Sequence, residues 1–180
     1  MKNRLIKMIL GILTCASLFC MPVYAAEDMN TIFEQGKTYS ENEQHEEAIE
    51  CYEKVIELAQ EQGMAVDDYI GCYRNIAISY GNLGWDYKAI ETLHEQERLL
   101  NEIGNTTLLP EMYLMLSEYY YNIGIYQHAV DYGIKSAEMA PHQWLDGAYR
   151  ITGLALMECD RYEEALEYFK NYKDNSDNYL

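Results

Sequence analysis

Basic residues are scarce in this chain: 13 Lys and Arg stand against 30 Asp and Glu, a formal charge of −17 over 180 residues. That deficit argues against nucleic acid and against adsorption to anionic lipid, both of which need a cationic face. The motifs of catalysis are missing as well. His45, His94, His128 and His142 do not pair at metal-ligand spacing on one helix, and there is no glycine-rich phosphate loop and no nucleophile motif. Asp67-Asp68 and Glu163-Glu164 are adjacent carboxylates, which a helix points to different sides. The glutamates between Glu43 and Glu61 lack the alternating oxygen ligands and central glycine of a calcium loop, and read as a solvated face. No metal, no cofactor and no enzymatic activity are expected.

What is present begins with a targeting segment, Met1 to Ala25. Lys2, Arg4 and Lys7 precede an apolar run from Met8 to Met21, and Val23-Tyr24-Ala25 offers small residues where a signal peptidase reads. Cleavage after Ala25 is expected, giving an exported protein, secreted, periplasmic or at the cell surface. The alternative is an uncleaved anchor, because Met8 to Tyr24 is 17 residues and a spanning helix needs about 20. Neither Cys15 nor Cys20 follows the small residue that lipid attachment prefers. The first 25 residues hold three basic groups and no acidic ones, so the remainder carries ten basic residues against thirty acidic, a charge of −20. Its cysteines, Cys51, Cys72 and Cys159, are too widely spaced for zinc. A Cys51–Cys72 bridge is open to an exported protein, but isolated helical cysteines usually stay as buried thiols.

A repeat runs through the rest. Alanine recurs at Ala48, Ala89, Ala129 and Ala165, in steps of 41, 40 and 36 residues. Twelve positions before each stands a small residue, Gly36, Ala77, Ser117 and Gly153. Three after that comes a large one, Tyr39, Tyr80, Tyr120 and Leu156; four before it, Ile32, Tyr73, Tyr113 and Tyr149. Two antiparallel helices that cross closely need small residues at the crossing and large ones a turn away, so these columns describe helical hairpins. Gly133 breaks the pattern where Tyr52, Leu93 and Phe169 stand in the other repeats. It costs its helix about 1 kcal/mol relative to Ala and should leave a hole for a neighbouring tyrosine to fill.

The spacing and residue types resemble the tetratricopeptide repeat family, whose unit is about 34 residues. The resemblance implies an all-α, right-handed superhelical solenoid of about eight helices over residues 26–173, with repeats at about 29–62, 70–103, 110–143 and 146–173 and a polar tail at 174–180. It also implies a groove lined by the first helix of each repeat. The positions expected there include Phe33 and Lys37; Arg74, Asn75, Ile78 and Asn82; Leu114, Glu118, Tyr121 and Asn122; and Arg150, Leu154 and Met157. Over the groove as a whole Lys37, Arg74 and Arg150 oppose Glu111 and Glu118, close to neutral in a strongly acidic chain. An amphipathic segment with an acidic group suits such a surface, unless the arginines pair with Glu111 or Glu118 across adjacent repeats. Family members that clamp a terminal carboxylate carry Lys and Asn in repeat one, Asn in repeat two, and Lys and Arg in repeat three. Here Asn75 matches, whereas Phe33, Lys37, Glu111 and Met115 do not.

The expected function is a non-enzymatic scaffold outside the cytoplasm that holds a protein or peptide in this groove. The alternatives are a self-assembling structural module, which could dimerise through Tyr168 and Tyr172 of the last repeat, and a sensor for a secreted signalling peptide. No nucleic acid and no membrane beyond the leader are expected as partners.

Overall fold

The hairpins are made at their turns. The computed structural model describes residues 28–139 and 142–177, and side chains over 28–139 and 144–172. Among these residues there are eight helices and no strand: α1 (Met29–Glu41), α2 (His45–Glu61), α3 (Val66–Asn82), α4 (Asp86–Ile103), α5 (Leu109–Asn122), α6 (Tyr126–Met139), α7 (His142–Glu158) and α8 (Tyr162–Asp177). Each hairpin turns through one left-handed residue: Glu43 (φ 61°), Gly84 (φ 73°), Gly124 (φ 77°) and Asp160 (φ 59°). The amide after it donates back to the carbonyl of Tyr39, Tyr80, Tyr120 or Leu156 at 2.8 to 2.9 Å. That bond satisfies a carbonyl the helix end would leave open. Glycine enters the left-handed region freely, whereas Glu43 and Asp160 do so at a cost of about 1 kcal/mol.

Within each hairpin a small residue faces a large one. A Cβ on Gly36 would lie 2.9 Å from the Tyr52 ring, and one on Gly153 would lie 2.7 Å from the Phe169 ring. The third hairpin sets Ser117 against Gly133, both small, yet no hole results. A Cβ on Gly133 would lie 3.0 Å from Ser117 Oγ and would overlap Thr152 Oγ1. The space expected for a tyrosine is taken by Thr152 of α7, so the missing side chain brings three helices together. Both hydroxyls are satisfied: Ser117 donates to the Ala129 carbonyl and Thr152 to the Ala148 carbonyl, each at 2.7 Å.

Helices pack in sequence, α1 on α2, α2 on α3 and so on to α8, and α5 also meets α7 directly. Buried clusters form at the junctions: one around Ile49, Tyr52 and Ile76, one around Ile90, Leu93 and Met112, and one around Val130, Leu156 and Ala165. Such a core is built from contacts within a hairpin and between adjacent hairpins, as in a solenoid. Some boundaries differ from those expected. α3 begins at Val66, where Asp67 and Asp68 favour a first turn through the helix dipole, and α8 continues to Asp177. Cys72 and Cys159 are free thiols, so no Cys51–Cys72 bridge exists. Asn105 of the Asn-Thr-Thr stretch is occupied: it accepts from the Thr107 amide and hydroxyl and donates to Asp67 at 2.8 Å, fastening the α4–α5 link to α3.

The two ends of the stack differ. The residue after each anchor alanine is Ile49, Ile90, Val130 and Leu166. The first three are 6%, 7% and 0% exposed because the following helix covers them, whereas Leu166 is 55% exposed. Seven residues after the anchor, Val55, Gln96 and Ser136 are buried and Tyr172 is exposed. At the other end, α1 has Thr31, Gln35 and Thr38, all exposed, where α3 has the buried Cys72, Ile76 and Ser79. The outer face of α1 is therefore polar and that of α8 apolar at matching depths.

Candidate functional site

The surface assigned to the groove is carried by α1, α3, α5 and α7, and it is open at one end and closed at the other. Along the seam between α1 and α3 two cavities follow one another. The first, about 330 Å³, is lined by Asn30, Phe33 and Gly71 over a floor that includes Val55 and Cys72. The second, about 230 Å³, is lined by Lys37, Ser40, Arg74, Asn75 and Ile78. Gly71 has no atom within 4 Å of where a Cβ would stand, so this wall is open. Phe33 is held by an edge contact with Tyr52, ring centroids 5.5 Å apart.

Beyond α3 the seam closes. Tyr119 of α5 lies over Gly81, where a Cβ would come within 2.5 Å of its hydroxyl, and the hydroxyl donates to the Ala77 carbonyl at 3.1 Å. Burial pushes this phenol up to about 12. Leu114 is buried against Gly147, so this side chain seals the α5–α7 contact instead of facing a ligand. Of the other expected positions, Leu154 and Tyr121 are half-buried, the latter against Tyr126, and Met157 and Asn82 are exposed. Asn122 reaches Asp86 at 3.4 Å.

The charges are matched in place. Arg74 binds Glu111 through Nε at 2.7 Å and Nη2 at 2.6 Å, and Nη1 reaches Asn75 Oδ1 at 3.4 Å. Arg150 binds Glu118 at 3.1 Å, and Lys37 binds Glu34 at 2.9 Å. Each arginine bridges adjacent repeats, the alternative that the spacing left open. Burial pushes the Glu118 carboxyl up, with Arg150 opposing. The floor thiol Cys72 is raised by burial to about 11 and stays protonated at neutral pH. What remains for recognition is apolar area at Phe33 and Ile78 with amide capacity at Asn75. Among the described residues no cluster of three or more metal-ligating side chains exists, and no helix is long and apolar enough to cross a membrane.

A second constellation lies where α4, α5 and α6 meet. His94 shares hydrogen bonds with Glu97 at 3.2 Å and with the Tyr120 hydroxyl at 2.9 Å. Tyr120 and Tyr132 stack at 5.6 Å with an interplanar angle of 2°. Lys135 Nζ lies 4.6 Å from the Tyr132 centroid and 5.1 Å from that of Tyr113. The spacing of the histidines does not mark this cluster, because the partners of His94 are a glutamate three residues on and a tyrosine 26 residues away on the next helix.

Eight helices stacked as hairpins on this period make the protein a tetratricopeptide-like helical-repeat solenoid. The model of the tetratricopeptide repeat matches residues 30–62. BtubC (BKLC) from P. vanneervenii is similar with a TM-score of 0.75 and 14% identity, over 82% of this chain and 63% of that one. MamA from Desulfovibrio magneticus RS-1 is similar with a TM-score of 0.68 and 12% identity, over 85% and 78%. The Rap conjugation gene regulator of the plasmid pLS20, in complex with the Phr* peptide, is similar with a TM-score of 0.68 and 13% identity, over 88% and 44%. At these identities the likeness is one of fold, and the chain spans under two thirds of the first of these proteins and under half of the last. No curated protein matches.

Proposed function

We propose that the protein is a non-enzymatic scaffold that holds an extended or helical peptide segment along the α1–α3 seam. The observation that carries this is the pair of successive cavities, whose linings include Phe33, Lys37, Arg74, Asn75 and Ile78. Phe33 and Ile78 supply apolar contact, Asn75 bonds ligand backbone, and Arg74 fixes direction if an acidic ligand group displaces Glu111. Glu118, Tyr121, Asn122, Arg150, Leu154 and Met157 extend the surface past the closed region. A peptide-bound protein of similar fold supports the reading. The segment Met1 to Ala25, outside the described residues, supports action beyond the cytoplasm, either after cleavage or as an anchored protein. A pull-down from envelope and culture fluid should compare Ala26 to Leu180 with an Asn75→Ala, Ile78→Ala variant of matched helicity. Loss of a bound species from the variant is expected; equal recovery by both would sink the reading.

A second reading, self-assembly, is favoured by the exposed Leu166 and Tyr172 of α8. The polar outer face of α1 offers them no apolar counterpart, so two copies would meet α8 to α8 as a closed pair.

A further inference from the structure

The cavity of about 480 Å³ between α2 and α4 is distinct from the seam described above. Its floor is Ile56, Tyr73, Ile76 and Tyr80, and its rim includes Glu53 and Glu91. We propose that it binds a partner peptide by one aromatic side chain and one Lys or Arg a helical turn further on.

The molecule contains a filled version of the same cavity. Moving 41 residues along α2 and 40 along α3 and α4 carries this site onto the α4–α5–α6 constellation. Tyr73 and Tyr80 become Tyr113 and Tyr120; Thr92 becomes Tyr132, and Glu95 becomes Lys135. In the filled site the Tyr132 ring stacks on Tyr120, and Lys135, three residues on, lies over Tyr113 and Tyr132. In the open site Thr92 is too short to cover Tyr80, and Glu95 is turned to Arg98 at 2.5 Å. Lys88 Nζ already lies 5.3 Å from the Tyr80 centroid, as the corresponding His128 packs on Tyr120 at 5.0 Å, so what the open site lacks is the counterpart of the Tyr132 ring and of the Lys135 cation, and it keeps the tyrosines that would receive them.

The rim agrees with that occupant. Glu57 and Glu95 are paired, with Lys54 and Arg98, but Glu53 and Glu91 meet no cation within ion-pair distance among the described residues. Glu53 and Glu91 line the same cavity as Tyr80, and burial, then these two carboxylates, push the Tyr80 hydroxyl up. A cation arriving over Tyr73 and Tyr80 meets ring faces and unpaired carboxylates together. A second copy of this chain, at −17, brings mostly carboxylates to the same rim and is disfavoured.

The test uses a short fluorescent alanine-based helical peptide carrying Tyr and, three residues later, Lys, with controls in which Tyr is replaced by Ala or Lys by Glu. Saturable binding in anisotropy is expected for the first and at least about tenfold weaker binding for each control. Thr92→Tyr with Glu95→Lys gives the open site the side chains of the filled one and should abolish binding while the helical circular dichroism is kept. Glu53→Gln with Glu91→Gln should weaken binding about three- to tenfold, and Glu46→Gln with Glu50→Gln, away from the cavity, should not. The rim pair decides the matter should the filling variant fold poorly. No saturable binding up to about 1 mM overturns the proposal, as does full binding by the filling variant. An equal loss from the Glu46, Glu50 pair would trace the attraction to net charge, and a loss from Asn75→Ala, Ile78→Ala would move the peptide to the α1–α3 seam; either result overturns it too.

Discussion

Two single positions make opposite predictions about glycine. Glu43 holds a left-handed turn that glycine holds in the second and third hairpins, and its side chain has no described bond that the turn needs. Glu43→Gly should therefore stabilise the protein by about 0.5 to 1 kcal/mol, read as a higher midpoint in urea without a change in slope. Gly133 lies inside a helix, where alanine would ordinarily gain about 1 kcal/mol. Here its methyl overlaps Thr152 Oγ1 and crowds Ser117. Gly133→Ala should instead cost about 1 to 3 kcal/mol, and adding Thr152→Ala should recover part of that loss in a double-mutant cycle.

At the scale of elements, α4 is tied to α5 by His94, which shares a hydrogen bond with the Tyr120 hydroxyl at 2.9 Å and is itself bonded to Glu97 of its own helix. Glu97 bonds His94, and that bond, together with the Tyr113 hydroxyl, holds its carboxyl below the usual range against the opposing effect of burial. A carboxyl lowered on folding adds stability that is complete above its unfolded value and fades as the pH falls through the folded one. Glu97→Gln should cost about 1 kcal/mol at pH 7 and should make thermal stability fall less steeply below about pH 4.5. Circular dichroism melts across pH 3 to 7 check both.

The hairpins themselves were legible in the chain, because the small and large residues that let α1 meet α2 lie twelve and sixteen positions from one alanine. Links between repeats were not. Arg74 finds Glu111 and Arg150 finds Glu118 across 37 and 32 residues, and Thr152 fills a space opened at Gly133, so each depends on how two hairpins are set together. Leu114 shows the same limit: its position on α5 points toward the groove, but the glycine at 147 lets α7 close over it.

As a whole molecule the stack should lose structure from one end. Among the described residues α8 packs chiefly against α7 and exposes Leu166, so amides of α7 and α8 should exchange faster than those of α3 to α6 in native-state hydrogen exchange. If two copies meet there, light scattering will show a concentration-dependent dimer, and Leu166→Lys will return it to a monomer with unchanged helicity. The contrast between the two end faces also bears on how such a protein could lengthen. A duplicated hairpin joined after α8 would find Leu166 and Tyr172 already suited to receive its first helix. One joined ahead of α1 would be laid against Thr31, Gln35 and Thr38, and would bury Thr31 and Gln35 where α3 offers Cys72 and Ile76. New repeats, whether they arise by gene duplication or are spliced in by hand, have one direction in which to accumulate.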